Sequence, residues 1–158
     1  MKIKGHIILR RRLYEQVVVF EDFLLELERY ILYNSDNQTL FEYVGSKQFE
    51  KRFKNQIISI LCITELFVKR KIFFSEEDFA IEMKQIKQLY EKNFEEQFNL
   101  FLYHISSFVD SNTKPRLVEL SRIINSNWAK DLSTIQQCFD NAELFHSILL
   151  EILESSHE

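Results

Sequence analysis

Glycine and proline are nearly missing: the 158 residues include 2 Gly and 1 Pro. A β-sandwich or barrel turns roughly every 8–12 residues and draws on those two residue types to do so. That class is excluded. Cysteine is as scarce. Cys62 and Cys138 are the 2 present, too few for a disulfide framework and without the Cys-x-x-Cys spacing of a zinc site. Two glycines cannot build a phosphate-cradling loop, and no Gly-x-Ser-x-Gly elbow occurs. No charge-free apolar run approaches ~18 residues, so no transmembrane helix is expected.

What the chain does have is apolar mass. Hydrophobic residues make up 46% and phenylalanine alone supplies 15. That load excludes disorder and suffices for one packed core. Residues 1–158 are expected to form a single helical-bundle domain.

Charge is uneven along the chain. Lys2, Lys4, Arg10, Arg11 and Arg12 open it with no acid among the first fourteen residues, and residues 131–158 carry acids but no Lys or Arg. The formal net charge of −4 disfavours a molecule that binds nucleic acid over its whole surface. The basic start is not read as a leader. Its apolar stretch, Ile7-Ile8-Leu9, is too short for a secretory signal and runs directly into a helical pattern. With two unpaired cysteines, a cytoplasmic location is expected.

Periodicity predicts helices throughout. Leu13, Val17, Phe20, Leu24, Leu27 and Ile31 share one stripe of a helix over 8–33. Val18, Val19, Phe23 and Tyr30 widen it, which predicts contact from more than one side. Thr39-Leu40-Phe41-Glu42 forms a capping box for a second helix. Its stripe is Phe49, Phe53, Ile57, Ile60, Thr64 and Phe67, and Lys69-Arg70-Lys71 closes it. Gly45-Ser46 marks a kink. Ser75 followed by Glu76, Glu77 and Asp78 caps a third helix. There Phe79, Met83, Ile86, Tyr90, Phe94, Phe98, Phe101, Ile105 and Phe108 recur at a mean step of about 3.6, as on a straight α-helix. Asp110 to Pro115 is a loop. A short helix follows over 115–125, with Leu117, Leu120, Ser121 and Ile124 inward. A last helix, starting near Asn127 or at the Ser133–Gln136 capping box, buries Ile135, Cys138, Ala142, Phe145, Leu149 and Ile152. The expected fold is all-α, an antiparallel bundle of four long helices plus one short helix.

The 4 histidines, His6, His104, His146 and His157, are the first candidates for catalytic groups. Glu143-x-x-His146 and Glu154-x-x-His157 have metal-ligand spacing. Both lie on one helix, however, roughly 16 Å apart by helix rise, whereas a di-iron site takes its pairs from different helices. The Arg-spacer-His pair of the HEPN-type RNases is absent, since no histidine has an arginine five to seven positions before it. Asn127-Trp128-Ala129-Lys130 matches the Asn-Trp-Gly-Arg signature of Bcl-2-type bundles at two of four positions, and too little chain follows for that family's central helix. Trp128 is read as a wedge between helices. Cys62 and Cys138 sit in apolar helical contexts that leave a thiol inert.

The expectation is therefore a non-enzymatic protein with no cofactor and no metal, acting by binding another protein or a second copy of itself. Inhibitors, immunity or antitoxin-type proteins, adaptors and complex subunits act in this way. The candidate contact residues are Arg10, Arg11, Arg12, Phe73 and Phe74. Three consecutive arginines cannot all face a core. They serve either as a contact for phosphate or an acidic partner, or as a helix start paired with the acidic last helix. Phe73-Phe74 stand outside any stripe, in a turn, as a small second core or a docking patch. The alternative is a nucleic-acid-associated regulator using the same basic patch.

Overall fold

The computed structural model describes residues 7–33, 53–106 and 135–155, and helical positions 115, 116, 118–120 and 122; within these the side chains of 24, 26–33, 102–106, 135 and 155 are not described. The helices are α1 (Ile7–Tyr33), α2 (Asn55–Val68), α3 (Glu76–Ser106) and α4 (Ile135–Ser155), and the described residues contain no strand. The fold is an all-α bundle of four long helices, with the short fifth helix represented by the helical positions 115, 116, 118–120 and 122. The Thr39–Glu42 capping box, Ser133 and Thr134 of the second one, Gly45-Ser46, the loop before Pro115, Trp128, His6, His157 and the His104 side chain lie outside the described residues; Gln136 of the second box donates to Asp140 at 2.9 Å.

Cross-helix contacts fix the directions. Phe67 meets Phe139 while Leu61 faces Leu153 across a groove, so α2 and α4 run antiparallel. Lys71 pairs with Glu82 and Tyr90 with Glu65, so α2 and α3 do the same. Arg11 and Arg12 reach Glu76, which puts the starts of α1 and α3 together. Phe139 and Glu143 near the start of α4 meet Phe67 and Arg70 at the end of α2, where α3 also starts. As a result α1, α3 and α4 all begin at one end, and α2 alone opposes them.

That arrangement makes α2 the central element, packed on α1, α3 and α4. Ile57, Ile58, Ile60, Leu61, Cys62, Ile63, Leu66 and Phe67 are buried around its full circumference. The stripe expected from spacing is only one of its sides. Thr64, also fully buried, keeps its hydroxyl satisfied within the helix by donating to the carbonyls of Ile60 at 2.8 Å and Leu61 at 3.1 Å.

The outer helices are one-sided. In α1, Leu9, Leu13, Val17, Phe20 and Phe23 are buried, but Val18 and Val19 are exposed. The wider apolar face expected there is corrected in part: α1 is an outer helix, and neighbours cover one flank only. In α3, Phe79, Ile86, Phe94, Phe98 and Phe101 are buried as the period requires. The Ser75 cap forms, its Oγ accepting the Asp78 N–H at 3.2 Å.

The α2–α3 turn is tightly built. Arg70 N–H donates to Phe67 O at 3.0 Å and Lys71 N–H to Leu66 O at 3.0 Å. This pair is a Schellman motif, which needs a left-handed residue and usually takes glycine. Here that residue is Arg70, at φ 55°. Its side chain explains the choice. The guanidinium lies 4.2 Å from the Phe139 ring centroid and 3.1 Å from Glu143, tying the turn to α4. Arg70→Gly relieves backbone strain of about 1 kcal/mol but loses a cation–π contact of similar size. Its stability should stay within about 0.5 kcal/mol of wild type. Arg70→Ala keeps the strain and loses the anchor, and should cost about 1–2 kcal/mol. Urea midpoints check the order; Ala equal to Gly would refute it.

Candidate functional site

The bundle end where α1, α3 and α4 begin collects every residue expected to make contacts. Arg11 and Arg12 both pair with Glu76 in the first turn of α3. Arg12 also reaches Glu15 at 3.1 Å and lies 5.8 Å from the Phe79 ring centroid. The expected pairing of these arginines with the acidic last helix is corrected: the acid is Glu76, because α1 and α3 start side by side. An arginine pair at a helix N-terminus opposes the helix dipole, and the acids Glu76, Glu77 and Asp78 offset that. Arg10 is half-buried and close enough to α4 for its charge to act on the Cys138 thiol.

Phe73 and Phe74 separate. Phe73 is buried and packs edge-on against Phe79 at 5.4 Å, so it belongs to the core. Phe74 is 84% exposed, the most exposed of the large hydrophobic residues described. Val68, Ile72 and Ile7 are also exposed at this end. The surrounding charges are held in pairs: Lys71 with Glu82, Arg70 with Glu143, and Arg11 and Arg12 with Glu76. Apolar side chains ringed by mutually satisfied ions resemble the anatomy of a protein interface, with an apolar centre and a polar rim.

A second feature escaped the sequence reading. Tyr90 Oη donates to Glu65 Oε1 at 2.8 Å and lies 2.9 Å from His146 Nε2. The phenol has one O–H and donates it to the carboxylate as a hydrogen bond, which leaves its oxygen as the acceptor of an Nε2–H from His146. The chain His146–Tyr90–Glu65 thus links α4, α3 and α2. Lys69 Nζ, one turn on, pairs with Glu65 Oε2 at 3.2 Å. Burial, then the bond to Glu65, raises the Tyr90 pKa beyond its ordinary range, so the phenol keeps its proton. Burial lowers the His146 pKa, against an opposing pull from Glu65, and favours the neutral ring. Glu143, three residues before His146, is turned to Arg70 instead. The Glu-x-x-His spacing therefore brings no shared ligand pair together. Among the described residues no group of three or more His, Cys, Asp or Glu is placed to hold a metal.

The two thiols are poor nucleophiles. Burial, with Glu65 adding to it, pushes Cys62 up to about 12; burial also pushes Cys138 up to about 12, against the pull of Arg10. The three-residue relay clasps α2, α3 and α4 together.

Beside Tyr90 lies a half-open groove of about 300 Å³ between α2, α3 and α4, with Leu61, Phe94, Leu150 and Leu153 among its walls. No described helix is long and apolar enough to cross a membrane. Compared with protein-family models, with curated proteins and with solved structures, the chain matches none.

Proposed function

We propose that this chain is a non-catalytic binding protein whose docking surface is the bundle end around the α2–α3 turn. One observation carries the reading: Phe74 is 84% exposed on a turn fixed at both ends, between the Schellman motif and the Ser75 cap. Because the backbone on both sides of it is already fixed, an exposed aromatic here loses little chain entropy when it enters a partner's pocket. Exposed Val68, Ile72 and Ile7 extend the apolar surface, and the ion pairs Arg70–Glu143 and Lys71–Glu82 flank it as a polar rim. The partner is another protein. The nucleic-acid alternative has less support, because Arg11 and Arg12 are occupied by Glu76.

The test uses the full chain in its native host, with a photo-crosslinking residue at position 74 and, as a control, at exposed Gln88 on α3. A single protein adduct from position 74 and none from 88 is expected. Phe74→Ser should weaken the recovered complex about thirtyfold, as for a central aromatic hot spot worth about 2 kcal/mol, while thermal unfolding is unchanged. Equal crosslinking from both positions, or a Phe74→Ser complex within twofold of wild type, would overturn the reading.

A further inference from the structure

The groove between α2, α3 and α4 has a composition that the docking end does not explain. Its volume, about 300 Å³, lies at the lower end of the range for small-molecule sites. Leu61 and Leu153 line it at 1% exposure and Phe94 at 2%, so the floor is continuous with the core. Its charged lining residues are Glu65 and Glu154, with no Lys or Arg among the lining. Asn93 and Gln97 add amides, and Tyr90 borders the wall.

The two carboxylates differ in role. Glu65 is fixed by Tyr90 on one oxygen and Lys69 on the other, so its orientation at the wall is set. Glu154 is exposed on the α4 side. An anion entering the groove meets two acids. Glu65 already has Lys69 as its counter-charge, so a neutral apolar molecule gains the floor but leaves exposed Glu154 alone without one. A molecule with a short apolar body and one cationic head satisfies both parts.

We infer that this groove is a binding site for a small amphipathic amine, its aryl or alkyl body on Leu61, Phe94, Leu150 and Leu153 and its ammonium directed to Glu154. The clasp through Tyr90 keeps Glu65 from swinging across the opening, so the site is formed before the ligand arrives.

The probe is 2-phenylethylamine, titrated into the full chain and followed by backbone amide shifts. 2-Phenylethanol and 3-phenylpropionate serve as controls of similar shape. The amine should give saturable shifts at Leu61, Phe94 and Leu150 with a low-millimolar Kd. The alcohol should bind about tenfold more weakly, and the carboxylate should not bind. Glu154→Lys, at an exposed position, should abolish amine binding and admit the carboxylate. Equal titrations for amine and alcohol, an unchanged amine curve in Glu154→Lys, or no saturable shift would each overturn the inference. None of these outcomes bears on Phe74, which lies beyond the start of α3.

Discussion

Phe145→Ala is expected to cost about 3–5 kcal/mol of folding stability, enough to remove a large part of a typical domain's 5–15 kcal/mol. Phe145 is fully buried and meets the Phe20 ring edge-on at 5.4 Å, so it joins α4 to α1. Its neighbours Ala142 and Leu149 are buried as well and lie one turn away on the same face. Truncation leaves a cavity that helices locked on α2 cannot collapse to fill. Leu144→Ala, one residue away at a partly exposed position, should cost under about 0.5 kcal/mol. Urea denaturation of the two variants gives the comparison. A double-mutant cycle with Phe20→Ala should return a coupling of about 0.5–1.5 kcal/mol. If Phe145→Ala loses less than about 1 kcal/mol, the packing of α1 on α4 is not as described.

The second large effect belongs to the relay. Tyr90→Phe keeps the ring and removes the hydroxyl. It leaves the His146 Nε2–H without its acceptor and Glu65 without its donor. The expected loss is about 1–2 kcal/mol, at the lower end for orphaned polar groups because the site is only half-buried. The pH dependence has a definite sign. His146 has a lower pKa folded than unfolded, where the ordinary value is 6.5. The unfolded chain therefore binds its proton first on acidification. The stability contributed by the neutral ring is complete above about pH 6.5 and is lost as pH falls through the folded pKa. The charged groups facing the ring are Glu65 and, through it, Lys69; Tyr90 does not titrate in this window. His146→Gln retains an N–H donor without titrating. Its stability should fall less steeply than wild type between about pH 7 and 5, as read from urea midpoints at each pH. Parallel curves would refute the assignment.

The sequence shows some of these features more plainly than others. The α3 stripe is legible because that helix buries one side, so a single period describes it. The Ser75 cap is legible because it is local. In α2 a one-face stripe understates the burial. The run Ile57-Ile58 followed by Ile60 to Ile63 carried the missing signal, since a helix apolar all round must be enclosed. The relay was beyond reach for another reason. Tyr90 lies 25 residues from Glu65 and 56 from His146, so the contact exists only once three helix faces are placed in register. A partial hint was available: Glu65 is the sole charged residue in α2. The arginine pairing is not legible from charge. Acids in the last helix are one of the two alternatives it offers. α1, α3 and α4 all begin at this end, and Arg11 and Arg12 reach Glu76 of α3, an adjacency that no charge sum contains.

The placement of α2 has a further consequence for how the chain is made. It is the second of the four long described helices in chain order, yet one of its walls is α4, which emerges only after all of α3. Until then Phe67, whose ring packs on Phe139 of α4, has no permanent cover, a condition that favours chaperone capture or aggregation of nascent chains. Translation stalled after α3 should therefore yield a product that holds its shape only while something else occupies the seat of α4.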